Sequence, residues 1–142
     1  MSLQELQNTV KPLTLPDMVA LRAKAEQDVV DKTKILYERT FQQRVLPRLT
    51  RSIELNGVMP TFGCNIDCIE AFGWTRVPNL SDIPKLTQEL FQGFTEYVGG
   101  RLKTVFPDYN ISSELKVEPS LFWRKNTLQI VLTRKDPALP TF

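Results

Sequence analysis

Histidine is absent from the 142 residues, cysteine occurs twice and glycine six times. Without histidine the chain lacks the commonest general acid/base and the commonest metal ligand, which excludes Ser-His-Asp and Cys-His catalysis. Cys64 and Cys68 stand in a C-x3-C spacing with no second pair. A tetrahedral zinc would have to take carboxylates from Asp67 and Glu70, an uncommon donor set, so neither a metal nor a cofactor is expected. The two cysteines read as reduced, partly buried thiols. The glycines form neither G-x-x-x-x-G-K-[ST] nor G-x-G-x-x-G, so no small-molecule substrate is evident from a phosphate-binding loop. An excess of either charge is missing too: 18 basic residues face 16 acidic ones, and the net +2 cannot impose nucleic-acid or anionic-lipid binding without a local patch. No apolar run approaches the roughly 18 residues of a spanning helix, so no membrane role is expected. Met1 to Leu15 has neither the basic start nor the apolar stretch of a signal peptide, so export by a recognisable signal is not expected.

What is present begins with a 30-residue stretch, Asp17 to Leu46, free of glycine and proline. At about 100° per residue, Met18, Leu21, Ala25, Val29 and Leu36 form one apolar stripe, and Val19, Ala23, Val30, Tyr37 and Phe41 form a second roughly 120° away. Thr14, Pro16 and Asp17 supply a cap, a first-turn proline and an acid at the positive end of the helix dipole. Lys24, Asp28, Asp31, Glu38 and Gln42 fall on the opposite side and are expected to face water. The best heptad register puts Glu26, Thr33, Thr40 and Arg44 in the seam beside Val19, Ala23, Val30 and Tyr37, too polar for a simple coiled coil. Two stripes require two contact surfaces, and the second must be covered either by the domain itself or by a neighbour.

Pro47 is expected to end or kink this helix, and Arg48 to Asn56 reads as a second short helix or a continuation past the kink that stops at Asn56-Gly57. Val58 to Asn79 has no clean period and reads as loop, with a helical turn over Ile66 to Phe72. Ser81 and Asp82 open a second amphipathic helix whose Leu90, Phe91, Phe94, Tyr97 and Val98 share one face, with a bend expected at Gly99-Gly100. From Ile111 the period changes to two: Ile111, Ser113, Leu115 and Val117 alternate with polar residues, marking a half-buried strand. Leu121 to Arg124 and Thr127 to Arg134 read as strands around a turn at Lys125-Asn126, with Leu128, Ile130 and Leu132 facing inward and Pro119 at a bulge, edge or break.

These elements predict an α+β fold, with a long N-terminal helix and a second amphipathic helix packed on a small antiparallel C-terminal sheet or hairpin. Residues 1–15 read as an N-terminal arm, 16–135 as a single domain and 136–142 as an extended tail. The expected role is that of a non-catalytic structural or assembly subunit, of the capsid, tail or scaffold kind, acting through contacts with copies of itself or with other proteins. Its interface candidates are Val19, Val30, Tyr37, Phe41 and Phe142. The alternative is a nucleic-acid-binding module. Arg39, Arg44, Arg48 and Arg51 are interrupted by no acid, and a helix surviving Pro47 gathers Arg44, Arg48 and Arg51 on one side, with Arg124 and Lys125 as a second basic site next to Trp123. A weaker alternative is a metal-dependent nuclease on Asp108, Glu114 and Lys116, whose close spacing departs from the two-strand arrangement that such chemistry uses.

Overall fold

The fold, a computed structural model, is described for residues 1–72, 88–119 and 124–136. Its elements are α1 (Leu3–Asn8), α2 (Leu15–Thr40), a π-helical turn (Phe41–Val45), α3 (Leu46–Asn56), β1 (Thr61–Asp67), α4 (Cys68–Phe72), α5 (Gln88–Val105), β2 (Tyr109–Pro119) and β3 (Arg124–Arg134). The architecture is α+β, as the change of hydrophobic period implied.

Both N-terminal helices begin with a capping box. In α1, Ser2 accepts from the Glu5 amide and the Glu5 carboxylate accepts from the Ser2 amide. In α2, Thr14 and Asp17 do the same, and satisfy two of the amides that a helix start leaves without intrahelical partners. The lead-in segment is thus partly helical.

Pro47 does not end the helix. α2, the π-turn and α3 follow one another without a gap to Asn56, and the Leu46 amide donates to the Phe41 carbonyl five residues back. In a regular α-helix the proline ring would collide with the Gln43 carbonyl, and the wider π-turn opens that spacing just where it is needed. Gly57, at φ 79°, closes α3 at the predicted position, since a left-handed residue there costs glycine nothing.

Three antiparallel strands run in the order β1-β3-β2. Ile130 of the central strand pairs with Cys64 on one side and Ser113 on the other. Leu128, Ile130 and Leu132 are fully buried and face the helices, as their alternation predicted. Pro119 ends the edge strand β2, where its missing donor harms no ladder. β1 corrects the reading of Val58 to Asn79 as loop, although its helical turn survives as α4. The turn expected at Lys125-Asn126 is also corrected: both residues lie within β3, opposite Glu118 and Val117, and Asn126 is buried on the same face as Leu128, Ile130 and Leu132. The connection between β2 and β3 therefore passes through 120–123. The predicted start of the second helix at Ser81 and Asp82 lies outside the described residues. Within them α5 is continuous through Gly99-Gly100, with no break before Val105.

The core lies between the inner sheet face, α5 and the C-terminal part of α2. An aromatic cluster joins the elements: Phe94 sits 5.0 Å from Phe72 and 5.6 Å from Tyr37, ring centre to ring centre, in the tilted geometries that ring quadrupoles favour. Ser113 donates to the Thr95 carbonyl at 2.8 Å, which ties β2 to α5. Glu38, expected on the water side, is instead half-buried and accepts from Tyr97 at 2.7 Å and Arg101 at 2.5 Å. Burial pushes its carboxyl up, but hydrogen bonds from Tyr97, Arg101 and Gln42, with the Arg101 charge, outweigh that and hold it below the ordinary value of 4.5. A depressed folded-state pKa stabilises the fold above the unfolded value, and that contribution is lost as pH falls through the folded one. Thermal melts between about pH 7 and pH 3 are expected to show this loss, and Glu38→Gln to remove about 1 kcal/mol of it, a figure kept small by the pair's partial exposure. An unchanged acid slope in the variant would assign the loss to other carboxylates.

Candidate functional site

Every residue from Met1 to Asp28 is exposed. That stretch comprises α1 and the first half of α2, so the N-terminal helices carry an arm on which no element of the described domain packs. The arm is longer than the 15 residues predicted for it. Its side chains include Leu3, Leu6, Val10, Leu13, Met18, Val19 and Leu21, all strongly exposed.

The apolar stripe of α2 runs from the arm into the domain. Val19, Val30 and Tyr37 lie within about 20° of one another on the helix, and Phe41 follows on the same side. Val19 is 62% exposed and Val30 45%, whereas Tyr37 is 8% and Phe41 0%. One continuous face therefore enters the core at its C-terminal end and stands uncovered at its N-terminal end. Burial of a valine or methionine side chain is worth roughly 1.5–3 kcal/mol relative to exposure, so Met18, Val19 and Val30 hold association free energy that the single chain does not use. The Asp17 carboxyl, held below its ordinary value by the Thr14 backbone amide and then the Thr14 hydroxyl, keeps the arm's N-terminal box intact at neutral pH.

Among the predicted interface residues, Val19 and Val30 thus remain available. Tyr37 and Phe41 do not, which corrects the reading: both are consumed by the chain's own core. The Tyr37 hydroxyl donates to the Leu90 carbonyl at 2.9 Å, and burial, with the Glu96 charge, pushes its pKa up to about 12. Phe142 lies outside the described residues.

Sequence reasoning also missed a feature inside the stripe. Arg22 and Glu26 fall at its centre and are ion-paired along the helix at 2.9 Å. The signal was present as an i,i+4 pair of opposite charges flanked on both sides by apolar residues.

Arg44, Arg48 and Arg51 are exposed along one continuous helix, as the basic-patch reading required. Each has polar or acidic groups nearby. Arg51 pairs with Glu54 at 3.5 Å, Arg48 donates to the Asn65 carbonyl, and Arg44 and Arg48 line a cleft of about 230 Å³ with Asp67 and Glu70. Lys125 is exposed in β3 rather than on a turn, Arg124 begins that strand, and Trp123 lies outside the described residues. These basic positions are not gathered onto one element.

Asp108 precedes β2, while Glu114 and Lys116 project from its exposed face. No group of three His, Cys, Asp or Glu side chains suited to a metal occurs among the described residues. Cys64 and Cys68 are both free thiols, and burial pushes them up to about 11 and about 12, far from the thiolate form that nucleophilic chemistry needs. No described helix is long and apolar enough to cross a membrane. Comparison with protein-family models, curated proteins and solved structures yields no match.

Proposed function

We propose that this protein is a non-catalytic structural or assembly subunit that holds its α+β domain in place through protein contacts made by the helical arm. The carrying observation is the single stripe on α2, buried at Tyr37 and Phe41 and uncovered at Val19 and Val30. A globular domain that needed α2 only for its own core would need it from about Leu36 onward, because no earlier position of the helix is buried. The preceding 21 residues of α2, Leu15 to Ile35, then have a different task. Raised thiol pKa values at Cys64 and Cys68 and the lack of histidine support a role without covalent or acid/base chemistry. A capsid, tail or scaffold component is the kind of protein that uses an extended arm in this way.

Sedimentation of the full chain, together with whatever co-purifies, tests the reading. Association is expected at protein concentrations on the order of tens of micromolar, and it should weaken on Val19→Ser or Val30→Ser without loss of the folded domain. A strict monomer with no co-purifying protein would overturn it.

A further inference from the structure

The arm's stripe reads the same in both directions. We propose that its occupant is the arm of a second copy of this chain, packed antiparallel about a two-fold axis at the level of Lys24, a proposal that rests on the reading of the arm as a protein-contact element. Reversing one helix on the other at that level sets Val19 beside Val30 of the other copy, and Met18 beside Val29. Ala23 then meets its own equivalent on one flank of the axis and Ala25 meets its own on the other. Apolar pairs thus occupy the outer layers, and Ala23 and Ala25 flank the crossing point, where their small side chains do not obstruct the partner. Self-complementarity of this kind is what an isologous interface demands.

Charge selects this arrangement over its competitor. Arg22 and Glu26 lie at the centre of the stripe, two residues on either side of Lys24, and are exposed. In the antiparallel pair each Arg22 meets the other copy's Glu26, twice over, so the intrahelical ion pair becomes a closed ring of four alternating charges. In a parallel pair Arg22 would face Arg22 and Glu26 would face Glu26, a like-charge penalty that disfavours that alignment. Glu26, one of the polar positions that spoil the heptad seam, thus helps with Arg22 to fix the antiparallel register. Asp17, Lys24, Asp28 and Asp31 stay on the outer side of both helices, and the paired segment, Leu15 to Thr33, extends about 27 Å. The two domains hang from its opposite ends, clear of each other.

The test uses the full chain. Sedimentation equilibrium over a concentration series is expected to give a dimer. Arg22→Glu and Glu26→Arg, each alone, place four like charges at the crossing and should weaken the dimer about a hundredfold. An equimolar mixture of the two variants should recover it as a one-to-one heterodimer. Orientation is read by oxidation: Val19→Cys mixed with Val30→Cys should cross-link chain to chain, whereas Val19→Cys alone should not. The native Cys64 and Cys68, with thiols pushed up to about 11 and 12, stay out of that reaction. All these positions are exposed, so below the concentration of self-association the variants should melt with the wild type, which separates loss of pairing from loss of fold. A dimer indifferent to both charge reversals, a mixture that fails to recover, or cross-linking of Val19→Cys with itself overturns the antiparallel pair. A wild-type monomer that still binds another protein through the arm overturns the pairing but leaves the contact reading standing. A monomer that binds nothing overturns both.

Discussion

Phe41→Ala is expected to cost about 4 kcal/mol of folding stability, whereas Val30→Ala, on the same side of the same helix, should change it by less than about 0.5 kcal/mol. Phe41 has no exposed surface, opens the π-turn and lies under the Arg101 guanidinium, whose carbon is 5.4 Å from the ring centre. Truncation removes the ring's packing, leaves a cavity between α2 and α5, and forfeits a cation–π contact worth about 0.5–1 kcal/mol. Glu38, held by Arg101, would lose part of its setting as well. Val30 loses only partial contact with its own helix. Urea unfolding of the two variants below the concentration of self-association checks the contrast. Similar losses at the two positions would show that the arm is packed on the domain after all, and the functional reading would fall with the contrast.

That contrast marks the limit of what periodicity can say. Val30 and Tyr37 are separated by seven residues and about 20° of helix, and both satisfy an apolar stripe, so the pattern records that each is to be covered and not by what. The answer depends on how far α5 and the sheet reach along α2, which is a property of distant segments. Charge was legible in a similar partial way. Glu26 counts against a coiled coil, while its pairing with Arg22 stays unread, because the register of a second helix is not written in one helix. A helix that survives Pro47 gathers the arginines at 44, 48 and 51, but the polar groups beside Arg44 and Arg48, the Asn65 carbonyl and the side chains of Asp67 and Glu70, come from β1 and α4.

The helical elements were legible wherever a long period and a cap coincided: Thr14 to Asp17 at the start, Gly57 at the end, and Phe91, Phe94 and Val98 along α5. Pro47 leaves open whether the helix ends or continues, because on an α-helix its ring collides with the preceding turn, and a π-turn removes the collision without stopping the chain. Lys125-Asn126 misled because asparagine tolerates turn geometry. The alternation of Asn126 with Leu128, Ile130 and Leu132 carried the better signal.

β1 was hidden for a related reason, and its most exacting position yields the second large effect. Gly63→Ala is expected to destabilise the fold by about 3 kcal/mol, although glycine within a strand is ordinarily the weaker residue. The segment Thr61 to Asp67 alternates Phe62, Cys64 and Ile66 inward, but a glycine, an asparagine and a thiol dilute the β-branched and aromatic content by which strands are recognised. Gly63 pairs with Val131 of β3, and there a Cβ would overlap the Ile130 carbonyl oxygen and lie 3.0 Å from its carbonyl carbon and 3.2 Å from Val131 Cα. Those atoms belong to the central strand's backbone, which is held from its other side by β2 and cannot yield without breaking ladder bonds. β1 would have to separate from β3, loosening Phe62 and Ile66 from the core and the Asn65 carbonyl from Arg48. Gly100→Ala provides the opposite case. It lies in α5 with nothing within 4 Å of its would-be Cβ, so the substitution should stabilise by about 1 kcal/mol through helix propensity and a less flexible unfolded chain. Chemical denaturation of both variants, with hydrogen exchange at the β1 amides, reads the difference. If Gly63→Ala folds as stably as the wild type with those amides still protected, the close approach of β1 to β3 is not a feature of the folded protein.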